Sequence, residues 1–250
     1  MKVVGVYNIK GGVGKTSTAV NLAWLAARDG LRVLLWDLDP QAAATFYLRV
    51  KPRVRKARKV LAGKLDPLAA VKGSDFEGLD LLPADFAYRN MDILFGDTRK
   101  PQRQLGRVLK PLADEYDLVL LDCAPSVSLV SENVFRAADG LLVPVIPTTL
   151  SVRTLSQLLD FLESEQIDTG FVWPFFSMVD RRKKLHRQIM EQPPESRASF
   201  IQAFIPHLSA VECMGVERAP VGDFSPSSRA AHAYRDLWRE TASRLQTLKG

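Results

Sequence analysis

Hydrophobic positions fall into two kinds of run along the chain. VVGVY at 3 to 7, LRVLLWD at 31 to 37, LDLLP at 79 to 83, DLVLLDC at 117 to 123, GLLVPVIP at 140 to 147, FVWPFFSMV at 171 to 179 and FIQAFIP at 200 to 206 are short and nearly continuous in apolar or β-branched residues. Longer amphipathic stretches separate most of them, beginning with 15 to 29 and ending with 227 to 248, where Ala231, Tyr234, Leu237, Trp238 and Ala242 recur at helical spacing. Continuous rather than alternating strands predict a sheet covered on both faces. In alternation with helices they predict a doubly wound, mainly parallel α/β sheet, whose ligands bind at the carboxyl ends of the strands. A single domain over 1 to 250 is expected, with the irregular, basic stretch from about 49 to 75 as an excursion from its core.

Composition narrows the setting. The chain has 250 residues, 46% hydrophobic and 25% charged, which suits one sizeable core. Cys123 and Cys213 cannot make a disulfide framework or a cysteine-only metal site, and Cys123 reads as a small buried thiol. No run of about 18 apolar residues and no signal-peptide pattern occurs, so a cytoplasmic protein without a membrane span is expected. The net charge of +6 favours polyanionic partners.

The candidate chemistry is concentrated between the first strand and the first helix, in Asn8-Ile9-Lys10-Gly11-Gly12-Val13-Gly14-Lys15-Thr16-Ser17. Glycines let backbone N–H groups turn inward around phosphate oxygens, and the N-terminus of the following helix adds its free donors and dipole. Lys15 is placed to reach β- and γ-phosphates, and the Thr16 hydroxyl to ligate Mg²⁺. Asp37 and Asp39 in DLDPQ, and Asp122 in DCAPS, end strands on the same side. Asp122 suits the carboxylate behind the metal, since Mg²⁺ takes few protein oxygens.

The general pattern GxxxxGK[ST] fails at Ile9, but KGGxGK[ST] is intact and resembles the deviant phosphate loop of the ParA/MinD family. The resemblance extends through DLDPQ, DCAPS, SMVDRRKKLHRQ at 177 to 188 and IPHLSAVECMGVERAPV at 205 to 221, nearly the whole chain. It implies that Lys10 reaches across a dimer to the partner's nucleotide, that Lys10, Lys15 and Asp39 act in hydrolysis with Asp39 on the attacking water, and that Asp37 supports the loop and the metal. It also implies that residues 10 to 17 hold ATP with Mg²⁺, and that Met178, Asp180 and Pro206 contact the base. The family's aromatic residue between Met178 and Asp180 is Val179 here, and its usual DCPPS is DCAPS.

Further expectations follow from the resemblance and from charge. They are an ATP-dependent homodimer, a stimulating or cargo-adaptor partner, and nonspecific DNA binding on the nucleoid. Arg181, Arg182, Lys183, Lys184, Arg187, Arg218, Arg229, Arg55 and Lys56 are the candidate DNA contacts. The phosphate loop begins almost at residue 1, so no helix-turn-helix domain is expected before it. A MinD-like membrane-associated ATPase and an ATP-dependent metabolic synthetase are the alternatives. The tail offers only Leu245 and Leu248 as apolar anchors, which disfavours the membrane.

Overall fold

A computed structural model of the chain describes residues 1–192 and 197–248. Seven strands form one sheet in the order β3-β4-β2-β5-β1-β6-β7. They are β1 (Lys2–Val6), β2 (Val33–Asp37), β3 (Lys72–Gly73), β4 (Leu79–Leu82), β5 (Leu118–Asp122), β6 (Gly140–Val145) and β7 (Val172–Phe176). Every neighbouring pair is parallel except β3 with β4, an edge pairing of two residues. Twelve α-helices occur among the described residues. They are α1 (Lys15–Arg28), α2 (Ala43–Tyr47), α3 (Ala57–Leu61), α4 (Met91–Gly96), α5 (Gln104–Leu109), α6 (Leu129–Ala137), α7 (Thr149–Ser164), α8 (Lys184–Glu191), α9 (Ser209–Glu212), α10 (Met214–Glu217), α11 (Val221–Phe224) and α12 (Arg229–Thr247).

The strands read as continuously apolar because both of their faces are covered. In β5, Val119 and Leu121 join a core shared with α3 to α7, while Leu118 and Leu120 join one shared with α1 and α12. β2 divides in the same way, Leu34 and Trp36 against Val33 and Leu35. Successive side chains in a strand point to opposite faces, so two apolar layers demand an unbroken apolar run.

Two expectations change. Residues 200 to 206 do not form a strand: Ile201 and Ile205 donate to Pro174 O and Phe176 O of β7, but only one isolated parallel bridge, Val179 with Pro206, results. The intervening N–H groups of Gln202 and Ala203 are taken by the Glu240 carboxylate of α12, at 2.9 and 2.7 Å, so no ladder forms. The stretch from 49 to 75 is no excursion. Val54, Ala57, Val60, Leu61 and Ala70 are buried in the main core, and Asp85 accepts from Val54 N at 2.8 Å. Its basic side chains lie outside this apolar layer, a division that a five-residue helix conceals from a search for periodicity.

Candidate active site

The loop from Asn8 to Gly14 leaves β1 at the centre of the sheet and enters α1. Gly12 and Gly14 have φ of +69° and +92°, a region that L side chains enter at a cost, and a Cβ on Gly14 would lie 3.0 Å from Ser177 Oγ. The loop is braced from below. Asn8 is buried, donates to Pro144 O at 2.8 Å and accepts from Lys10 N at 2.9 Å. The α1 N-terminus has no side-chain cap, so its first N–H groups remain available to an anion.

Lys15 is nearly buried and its ammonium donates to Lys10 O at 2.9 Å. Burial lowers its pKa, and the nearby carboxylates of Asp122 and Asp39 oppose that shift. Below it, Asp37 and Asp122 are register partners at the carboxyl ends of β2 and β5, both fully buried. They play different parts. Asp37 accepts from Thr45 N (2.8 Å), Thr45 Oγ1 (2.7 Å) and Asp39 N (3.2 Å), so it fastens α2 to the strand end. Its pKa is nevertheless pushed up to about 6, chiefly by burial. Neither oxygen of Asp122 has a partner at full hydrogen-bond geometry; the Thr16 hydroxyl is only close enough to favour its charged form. Burial, then the facing Asp37 charge, pushes Asp122 well above the usual carboxylate range, and the Thr16 hydroxyl and Lys15 partly offset this.

An unpartnered buried carboxylate costs several kcal/mol unless a cation completes its site. Asp122 beside Thr16 therefore fits a hard, oxygen-seeking cation. Among the described residues no three His, Cys, Asp or Glu side chains converge as a self-sufficient metal cage, which suits an ion that also takes water and phosphate oxygens.

A cavity of about 360 Å³ opens above these groups, lined by Gly11, Gly12, Gly14, Lys15, Thr16, Ser17 and Asp39 on one side and by Met178 and Pro206 on the other. Asp39 caps the turn after it by accepting from Gln41 N at 2.9 Å. The structure does not bring Asp180 to the cavity wall. Asp180 is forked onto Arg182, with contacts of 2.9 Å to both Nε and Nη2, and this holds its pKa well below the usual carboxylate range. Lys10 and the buried Val13 side chain are not part of this wall either; Val13 belongs to the core. Sequence reasoning missed Ala43 and Tyr47 of α2, Ser177, Leu208, Val211 and Tyr234, which complete the enclosure. Ser177, Leu208 and Val211 lie in stretches that the resemblance had marked without singling them out, and Tyr234 had carried a signal only as a helix-face residue. The second loop is placed by Tyr7, whose hydroxyl donates to Ser126 O at 2.9 Å.

The AAA domain family matches residues 1–169, more than half of the chain. The sporulation initiation inhibitor protein Soj of Bacillus subtilis is 32% identical over 249 residues, covering 97% of this chain and 98% of that protein. The chain belongs to the ParA/MinD family of P-loop ATPases. The chromosome partitioning protein ParA of Caulobacter vibrioides is 31% identical, covering 98% of this chain and 95% of that one. Among solved structures, cobyrinic acid a,c-diamide synthase from Mycobacterium smegmatis, with bound ATP analogue and magnesium, has a TM-score of 0.83 at 27% identity, covering 100% of this chain and 97% of that one. Membership of this family gives the intact KGGVGKT loop its meaning, and Ile9 is a departure at a position whose side chain packs inward on the core.

Proposed function

We propose that the chain is a positioning ATPase of the ParA type, which converts ATP and water to ADP and phosphate as a timing step. In this reading it dimerises on ATP, binds duplex DNA without sequence preference in that state, and is stimulated by a partner protein that links it to cargo. The observation that carries the reading is the buried, unpartnered Asp122 carboxylate beneath Lys15 and Thr16, at the mouth of a glycine loop and a free helix N-terminus.

The roles follow from position. Backbone N–H groups of Gly11 to Ser17 cradle the phosphates, and Lys15 leaves Lys10 O to meet the terminal ones. Thr16 and Asp122 hold Mg²⁺, which when bound neutralises charge on the phosphates. Asp37 keeps α2, and with it Ala43 and Tyr47, against the cavity. Asp39 orients the attacking water, and Lys10, at the loop's outer edge, is free to stabilise charge on the partner's nucleotide. A site completed by two subunits makes nucleotide binding favour the dimer by linkage.

The membrane alternative is weakened because Leu245, one of the two apolar anchors of the tail, is buried against the body. The synthetase alternative has one supporting observation, the likeness to the diamide synthase. Co-sedimentation with random-sequence duplex DNA under ATP, ADP or no nucleotide, over roughly 50 to 200 mM salt, tests the main reading. Retention that needs ATP and fades with salt supports it. No retention, together with ADP release that depends on a small carboxylic acid and ammonia donor, refutes it in favour of the synthetase.

A further inference from the structure

Segments 53–64 and 99–110 carry eleven lysines and arginines and no acidic residue. The fold brings them together. α3 packs on α5, and Gln104 at the start of α5 donates through Nε2 to Leu61 O of α3 at 2.7 Å. A Cβ built on Gly63 would lie 3.4 Å from Arg107 Nε, so Arg107 rests against the turn that ends α3. Apolar residues of both helices face the core, Val60 and Leu61 on one and Leu105, Val108 and Leu109 on the other. Arg58 and Lys59 are left in solvent on α3, as are Arg103, Arg107 and Lys110 on and beside α5. Those last three recur at i, i+4 and i+7, a single helical stripe about 10 Å long.

These cations are distinguished by their lack of partners. None of the eleven makes an ion pair or a side-chain hydrogen bond with a described residue. The cluster that follows β7 is smaller, and one of its five cations is neutralised while two more are tethered to neutral groups. Arg182 is held by Asp180, Arg187 donates to Arg181 O at 2.8 Å, and Arg181 lies over the Phe204 ring at 4.9 Å. Arg218 likewise donates to Phe46 O and stacks on its ring. Like charges set within a Debye length of about 8 to 10 Å add their fields, so the unpaired face is the stronger attractor of a polyanion.

We propose that the α3–α5 face binds the phosphodiester backbone of duplex nucleic acid. This rests on the reading of the chain as a DNA-binding ATPase and moves the principal contact from residues 181–187, beyond β7 at one edge of the sheet, to the helices that cover one of its faces. A lipid surface fits less well, because insertion needs apolar side chains among the cations, and only Gly106 stands between Arg103 and Arg107 on the exposed side of α5. Guanidinium and ammonium groups without apolar interleaving match phosphate contacts, which are indifferent to base sequence.

The test measures the affinity of a random-sequence 60-base-pair duplex for the full chain with ATP across a salt series. The wild type is compared with Arg103→Gln/Arg107→Gln/Lys110→Gln, with Arg181→Gln/Lys183→Gln/Lys184→Gln, and with the charge-preserving Arg103→Lys/Arg107→Lys. Each cation that contacts a phosphate contributes about 0.9 to the slope of log K against log salt. The first triple variant should lower the slope by up to about 2.7 per subunit and the affinity by up to several hundred-fold at about 0.1 M salt. Arg103→Lys/Arg107→Lys should keep the wild-type slope, and ATP-dependent dimerisation should be unaltered in both. A wild type that binds while the α5 triple variant keeps its slope and affinity overturns this assignment alone. A wild type that fails to bind with ATP at any salt overturns the DNA-binding reading beneath it.

Discussion

Thr45 offers a sharp test of how the first acidic loop is held. Its hydroxyl is fully buried, donates to Asp37 Oδ2 at 2.7 Å and accepts from Ala84 N at 2.9 Å. Valine has nearly the same shape and helix propensity, so Thr45→Val removes those two bonds and little else. Losing the donor to a buried carboxylate costs about 1.5 to 3 kcal/mol, and the orphaned, buried Ala84 N–H about 1 to 3 more. The sum is about 2.5 to 6 kcal/mol, or a fall in Tm of roughly 5 to 24 °C for a chain of this size. Thr45→Ser keeps both bonds and loses one buried methyl, about 1 kcal/mol. Urea unfolding of the two variants gives the difference, and nucleotide titration gives the consequence. Because α2 carries Ala43 and Tyr47 of the cavity, ATP affinity should fall more in Thr45→Val than in Thr45→Ser. Stabilities of the two variants within about 1 kcal/mol of each other would falsify the claim that Asp37 and Thr45 fasten α2.

Lys10→Ala should retain nucleotide binding and lose partner-stimulated phosphate release on the order of 10³-fold or more; near-normal stimulated turnover ends the trans-lysine idea. Lys15→Gln should weaken ATP binding by roughly 10- to 150-fold, the worth of one charge-assisted contact, as read by calorimetry; unchanged affinity places Lys15 outside the phosphate site. Asp122→Asn should bind ATP in EDTA as the wild type does but gain nothing from added Mg²⁺, and a retained Mg²⁺ response removes Asp122 from the metal site. Arg32, forked onto Asp117 between the starts of β2 and β5, holds that carboxyl at a pKa of about 2, below its usual 3.8. A depressed pKa contributes stability that is present above 3.8 and lost as pH falls toward about 2. Arg32→Ala removes the guanidinium but keeps the backbone N–H bond of residue 32 to Asp117, so it should raise the Asp117 NMR titration part of the way back and reduce the stability lost over that acid window; an unmoved titration contradicts the assignment.

The phosphate loop was legible in the sequence because its chemistry is local: three glycines, two lysines and a threonine in seven residues fix turn, charge and hydroxyl without help from distant parts. The strand pattern was legible because a sheet covered on both faces needs continuous apolar runs. The far wall of the cavity was not, since Tyr47, Val211 and Tyr234 come from three separated elements and none has a spacing that announces a ligand. Glu240 could not be foreseen as the group that stops residues 200 to 206 from pairing, because it approaches from α12.

The basic residues divide along the same line. Sequence alone determined how many charges the chain carries and where they cluster, and it favoured the run at 181 to 187 over Arg55 and Lys56 as the nucleic-acid contact. The Asp180–Arg182 pair is local, two residues apart, but only the tertiary structure laid Phe204 under Arg181 and set α3 against α5, so that the basic segments 53–64 and 99–110, well separated in the chain, share one face. The physical reason is range. Backbone conformation and covalent spacing are settled within a few residues, whereas the electrostatic state of a side chain depends on whatever the fold places within a Debye length, however far away in the chain.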